Sequence, residues 1–141
     1  MEICDGQGWR LVVDPTRSPY PALIGGEAWA SELSGAELIV LRRGVMRLVD
    51  QHRDLAEALM AEEALDLEFE QPIGDGPGSG CGSLWLGLSG DRHHWSLRLV
   101  LTPAPGSRAV EGAWDSAASR AIAAALEGLR LSEHDQENQD C

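Results

Sequence analysis

The chain has 141 residues and a formal net charge of −12, which is enough length for one domain with a real core. An acidic body repels phosphate backbones, which argues against strong non-specific binding to DNA or RNA. The three cysteines lack the spacing of a disulfide scaffold, the first residues lack the pattern of a signal peptide, and no apolar run approaches the ~18 residues of a membrane span, so we expect a cytoplasmic protein with no membrane contact.

Two strands are predicted before the long helix. The first runs from Gly8 to Asp14, where apolar and polar side chains alternate, and a connection rich in proline follows it. Ala22 to Ile24 is a short extended run that ends at the Gly25-Gly26 pair. Glu27 to Leu33 is interpreted as the second strand, with a helical start as the open alternative.

A long helix is predicted from Ser34 to Glu63. Ser34 can cap its first turn, and Glu37 can reach back to the cap amide. Apolar residues recur at spacings of three and four with one polar exception, and they form a continuous seam on one face. The seam consists of Leu38, Leu41, Val45, Leu48, His52, Leu55 and Leu59. A helix of about 28 residues would be roughly 40 Å long, more than a domain of this size needs, so we expect it to meet a second subunit.

Four strands and a shorter helix are predicted after the long helix. The helix begins at Asp115 or Ser116 and ends near Arg130. The strands are expected at 65–70, 84–88, 94–101 and 109–114.

These elements predict an α+β domain built on an antiparallel sheet of about six strands, in the order ββαββββα. The single domain spans 8–131. Residues 1–7 are expected to be a flexible N-terminus, and 132–141 a disordered acidic tail.

Several blocks of the sequence resemble a known family. They are Trp9-Arg-Leu11, Arg17-Ser-Pro-Tyr-Pro-Ala-Leu-Ile-Gly-Gly-Glu27, Trp29-Ala30, Glu32-Leu33, Ala36-Glu37 and Glu111-Gly-Ala-Trp114. Together they resemble the uncharacterised cyanobacterial proteins grouped as domain of unknown function 1818, over most of residues 8 to 131. The resemblance implies a fold similar to the whirly and single-stranded-nucleic-acid-binding regulators, and no established activity. It also implies a shorter connection than the glycine-rich stretch at 72–83.

Two motifs suggest chemistry but fit it poorly. In the run from Gly74 to Gly80, the third glycine of a GxGxxG loop would fall at Ser79 and the lysine of a Walker loop is absent, so a flexible connection is favoured. Asp91, His93 and His94, with or without Cys81, could gather at a metal, but adjacent strand residues point to opposite faces. We therefore interpret them as polar turn residues and predict no metal site and no cofactor.

Other side chains leave alternatives open. His52 is interpreted as a buried, hydrogen-bonded histidine, or as a register-setting or pH-responsive residue at a subunit contact. The five tryptophans are interpreted as core residues, with stacked bases as the alternative. Outward-facing strand positions predict cross-strand ion pairs among Arg10, Arg98, Asp66, Glu68, Glu70 and Glu111.

The charges of the long helix indicate a partner. Its arginines precede most of its carboxylates, which opposes the preference of the helix dipole for acids early and bases late. Two antiparallel copies would set the basic half of each against the acidic half of the other, and the alternative is a solvated face over a seam that covers the sheet. We predict a homodimer whose interface contains Leu38, Leu41, Arg42, Val45, Leu48, His52, Leu55 and Leu59.

The sequence predicts a non-enzymatic protein-interaction domain, since no catalytic constellation can be assembled from it. A single-stranded nucleic-acid-binding regulator of the whirly kind is the alternative, and it depends on the resemblance alone. An enzyme with a small-molecule pocket between sheet and helix is a third, weaker possibility.

Overall fold

The computed structural model describes residues 1–74 and 82–130, which form eight strands and two helices. In chain order these are β1 Glu2–Gly6, β2 Trp9–Val13, β3 Ala22–Gly26, β4 Ala30–Leu33, α1 Gly35–Ala56, β5 Leu65–Pro72, β6 Ser83–Gly90, β7 Trp95–Thr102, β8 Val110–Ala113 and α2 Ser116–Glu127. The α+β class is confirmed, but the predicted six strands and the order ββαββββα are wrong, because the observed order is ββββαββββα. The predicted acidic tail at 132–141 and most of the glycine-rich connection lie outside the described residues.

The strands form two antiparallel sheets of four, in the orders β1-β2-β3-β4 and β5-β6-β7-β8. In the first sheet, Leu11 pairs with Ile24. In the second, Leu86 lies between Phe69 and Leu99. Because directly paired residues of an antiparallel sheet share a face, these rows mark the buried face of each sheet.

The N-terminal half of the chain departs most from the predictions. The sequence predicts a flexible N-terminus at residues 1–7, whereas Glu2–Gly6 pairs with β2 along its whole length. Most side chains of β1 are exposed, so the strand lacks the apolar alternation by which strands are recognised. The short run at Ala22 is a full strand, and the strand predicted from Glu27 begins only at Ala30.

Helix α1 begins as predicted but ends earlier. Ser34 Oγ accepts a hydrogen bond from the Glu37 amide at 3.2 Å, and Glu37 Oε1 accepts one from the Ser34 amide at 2.7 Å, which completes a capping box. The helix ends at Ala56, so its 22 residues span roughly 33 Å. The shorter helix removes the excess length from which a second subunit was inferred.

Gly44 allows α1 to approach the second sheet closely. A Cβ at this position would lie 2.5 Å from a methyl group of Leu86 and 2.6 Å from the ring of Phe69. Leu41, Val45 and other residues of this side of the helix are buried in the same core as those two side chains. The inner side of α1 therefore rests on the buried face of the second sheet.

Helix α2 packs on both sheets. Asp115 caps it by accepting a hydrogen bond from the Ala118 amide at 2.8 Å, as predicted. The buried Ser119 hydroxyl donates to Trp114 O and accepts from the Leu97 amide, which ties the helix to β7. None of the helices in the described residues combines the length and the apolar character needed to cross a membrane.

Candidate functional site

Most of the predicted interface on α1 lies inside the protein's own core. Five seam residues are buried, with His52 6% exposed and the other four at 2% or less. Because these side chains are enclosed by their own chain, they expose little surface to a second subunit. They are Leu38, Leu41, Val45, Leu48 and His52. Leu55 is 44% exposed, and Leu59 is half-buried beyond the end of the helix.

Arg42, the remaining residue of the predicted interface, contacts α2. Its Nε donates to Leu126 O at 2.8 Å, and its Nη2 donates to Glu127 O at 3.2 Å. These are carbonyls of the last turn of α2, where a cation is favoured by the helix dipole. Arg42 therefore joins the two helices.

His52 connects α1 to the turn between β6 and β7. Its Nε2 lies 2.9 Å from Asp91 O, and its ring centroid lies 5.9 Å from that of Trp95. The interpretation of His52 as a buried, hydrogen-bonded histidine is confirmed.

The two histidines of the β6–β7 turn contribute backbone groups to it. Asp91 Oδ1 accepts hydrogen bonds from the amides of His94 and His93, both at 2.8 Å, and these bonds lower the pKa of the Asp91 carboxyl. Arg120 of α2 donates to His93 O. In residues 1–74 and 82–130, no three His, Cys, Asp or Glu side chains are grouped closely enough to hold a metal ion.

The outer side of α1 carries a stripe of exposed charges. Arg43, Arg47, Asp50 and Asp54 recur at i, i+4, i+7 and i+11 and so lie on one helix face, which we call the outer stripe. A groove of about 530 Å³ runs along it, with Ile39, Met46, Arg42 and Gln51 as its other lining residues. Asp50 forms an exposed ion pair with Arg53 at 3.1 Å. Within the described part of the chain, the other three charged side chains of the stripe make no hydrogen bond or ion pair.

The two sheets meet at a pair of tryptophans. Trp29 Nε1 donates to Ala113 O at 3.1 Å, and Trp114 Nε1 donates to Gly25 O at 2.9 Å. Their ring centroids are 5.1 Å apart. The Trp29 indole occupies the space that a Cβ on Gly112 would need, so this glycine makes the contact possible. The sequence blocks around Gly25 and Trp114, far apart in the chain, are therefore one structural junction.

The face of the second sheet opposite the helices is exposed to solvent. It carries Asp66, Glu68, Glu70, Trp85, Arg98, Val100 and Glu111, and we call it the open face. Arg98 lies over the Trp85 ring, with its Cζ 5.4 Å from the ring centroid. The predicted cross-strand ion pairs are wrong, since the ion pairs among the described residues are Arg17–Glu32 and Arg53–Asp50.

Comparisons with known proteins identify the family. No curated protein matches the chain. The crystal structure of a protein with unknown function from the DUF155 family, from Prochlorococcus sp. NATL2A, is 34% identical, with a TM-score of 0.77 over 90% of this chain and 97% of that one. The model of the family described as domain of unknown function (DUF1818) matches residues 4–129. The chain therefore belongs to the DUF1818 family.

Proposed function

We propose that the domain is a non-enzymatic protein-interaction module that forms a homodimer through the outer stripe of α1. The supporting observation is that this stripe is self-complementary: two arginines, Arg43 and Arg47, are followed on the same helix face by Asp50 and Asp54. A helix face on which basic residues precede acidic residues can pair with a second copy of itself when the two helices run antiparallel. This proposal replaces the buried leucine seam with the opposite side of the same helix.

An antiparallel arrangement satisfies both charge pairs at once. When Arg47 lies opposite the partner's Asp50, the same register sets Arg43 opposite the partner's Asp54. The twofold axis repeats each contact, so two pairs become four.

The energetics favour a weak, salt-sensitive dimer. Both side chains of the Asp50–Arg53 pair are exposed, at 67% and 71%. Because exposed ion pairs contribute about 0–1 kcal/mol, Asp50 can exchange Arg53 for a partner's arginine at little cost. Exposed charge pairs supply specificity and association rate more than affinity. Because salt screens them, we expect micromolar association that weakens as ionic strength rises.

Complementary charge reversals test this interface. R43E/R47E makes the stripe wholly acidic, and D50R/D54R makes it wholly basic. We expect wild-type dimers by light scattering, monomers of each variant alone, and a heterodimer when the two variants are mixed. The heterodimer is the decisive result, since ordinary destabilisation of either variant cannot produce it.

The control is R10E/R108E, which makes the same charge change at exposed positions on β2 and in the β7–β8 connection. It should leave the wild-type mass unchanged. A wild-type monomer at micromolar concentration in low salt, or a dimer that persists in R43E/R47E, would refute the interface.

Single-stranded nucleic-acid binding is the alternative function, and the resemblance to whirly-type regulators is its main support. The half-buried indole of Trp85 beside Arg98 on the open face favours it. Four carboxylates on the same face oppose it, because they repel phosphates. A gel shift at low salt with a single-stranded oligonucleotide tests this alternative, and a shift that W85L abolishes would favour it over the interaction domain.

A further inference from the structure

The open face carries an aromatic platform at its centre. Trp85 is half-buried on the interior strand β6. Its ring covers Gly87, where an added Cβ would lie 2.7 Å from the nearest ring carbon. Trp85 and Val100 pair directly, so an apolar patch lies in the middle of a solvent-facing surface. The Arg98 guanidinium rests over the indole, which shows that the ring can accept a planar cation.

Carboxylates lie on both sides of this platform. The register sets Glu70 beside Trp85 on one side and Glu111 beside Val100 on the other. Asp66 accepts a hydrogen bond from the Ser89 hydroxyl at 2.6 Å. In the described part of the chain, Glu68, Glu70 and Glu111 have no hydrogen-bond or ion-pair partner. The open face therefore has one arginine against four carboxylates.

We propose that the open face binds an arginine-containing segment of a partner protein, with a guanidinium of that segment taking the place of Arg98 on Trp85. In the unbound protein, the Arg98 guanidinium occupies the position on Trp85 that the partner's guanidinium would take. The flanking carboxylates supply the complementary charge. Arginine is favoured over lysine because its planar group stacks on an indole while it donates to carboxylates.

Protection of a sheet edge does not account for this pattern. Charged residues on an edge strand prevent unwanted pairing, which would explain Glu68 and Glu70 on β5. It would also explain Glu111, which lies on β8 at the opposite edge of the sheet, but it would not explain a half-buried tryptophan in the middle of the open face on the interior strand β6.

The open face and the proposed dimer interface are separate surfaces. Both helices pack against the other face of this sheet, so self-association through α1 leaves the open face free. Failure of either proposal leaves the other standing.

Calorimetry with a short capped peptide of alternating arginine and glycine tests the proposal. We expect saturable binding to the full chain that is about tenfold weaker for E68Q/E70Q, and about fivefold weaker for W85L or for the lysine version of the peptide. The matched control is E27Q/E62Q, which removes the same charge from exposed positions away from the open face. Equal losses in the two glutamine pairs would mean attraction by net charge alone and would overturn the proposal.

Arg98 provides a test in the opposite direction. Because the Arg98 guanidinium competes for the ring, R98Q should bind the peptide about threefold more tightly than R108Q does. R108Q is the matched comparison, since it removes the same charge from the β7–β8 connection. Weaker binding by R98Q would overturn the replacement of Arg98. Binding of a single-stranded oligonucleotide through Trp85, with no binding of the arginine peptide, would overturn the proposal in favour of nucleic acid.

Discussion

Individual polar side chains join elements that are distant in the sequence. His52 links α1 to the β6–β7 turn, Ser119 links α2 to β7, and Trp114 links β8 to β3. Among the described residues, no buried side-chain nitrogen or oxygen lacks a hydrogen-bond partner. Because leaving such a group unsatisfied costs about 1–3 kcal/mol, each of these bonds favours one arrangement of the elements over its alternatives.

Asp91 should make the stability of the β6–β7 turn depend on pH. The His94 and His93 amides bond its carboxylate and lower its pKa below the usual value of 3.8. A lowered folded-state pKa stabilises the protein above pH 3.8 and stops doing so as the pH falls through the folded value. Asp91→Asn should therefore be less stable than wild type at neutral pH, and the difference should shrink well below pH 3.8. Urea unfolding followed by fluorescence at several pH values measures this.

Asp5→Asn is the control for that experiment, because Asp5 is an exposed carboxylate on β1 outside the turn. It reports the effect of losing one negative charge. A gap between wild type and Asp91→Asn that is the same at neutral and acidic pH would show that the carboxylate bonds do not stabilise the turn.

Close packing of α1 on the second sheet depends on Gly44. Alanine at this position gains about 1 kcal/mol in helix propensity. Its Cβ would also press on Leu86 and Phe69, and overpacking a core costs about 1–3 kcal/mol. We expect Gly44→Ala to lower the free energy of unfolding by up to about 2 kcal/mol in urea titrations. Gly128→Ala is the matched control, since the nearest atoms to its Cβ would be at 3.6 Å, and a Gly44→Ala protein as stable as that control would contradict the packing argument.

The boundaries of the elements show where sequence patterns carry enough information. The start of α1 was predictable because Ser34 and Glu37 form a local capping box. Strand β1 was missed because its stability comes from pairing with β2, and its mostly exposed side chains leave no apolar period. Leu55 and Leu59 continue the seam in sequence, but the helix ends between them at Ala56.

At the scale of the whole molecule, the sequence specified apolar faces but not what covers them. The seam of α1 is buried from Leu38 to His52, and apolar residues recur at spacings of three and four whether a partner helix or the protein's own sheet covers them. Likewise, hairpin patterns predict local pairing but not the division of strands into two sheets. The junction of Trp29 and Trp114 marks that division, and its signal was the recurrence of glycines beside both tryptophans.

This junction should make the two sheets unfold as one unit. Trp114 is 3% exposed, and its indole bond to Gly25 O is a direct link between β8 and β3. Trp114→Phe removes that bond and part of the buried volume, so we expect it to lower the free energy of unfolding by about 2–4 kcal/mol. Trp85→Phe makes the same substitution on the open face and should cost less than about 1 kcal/mol.

Amide hydrogen exchange shows where the stability is lost. In Trp114→Phe, the protection of Leu11 in the first sheet and Leu99 in the second should fall by equal free energies, because a cooperative unit opens as a whole. A loss confined to one sheet would mean that the tryptophan pair bridges two independently stable halves.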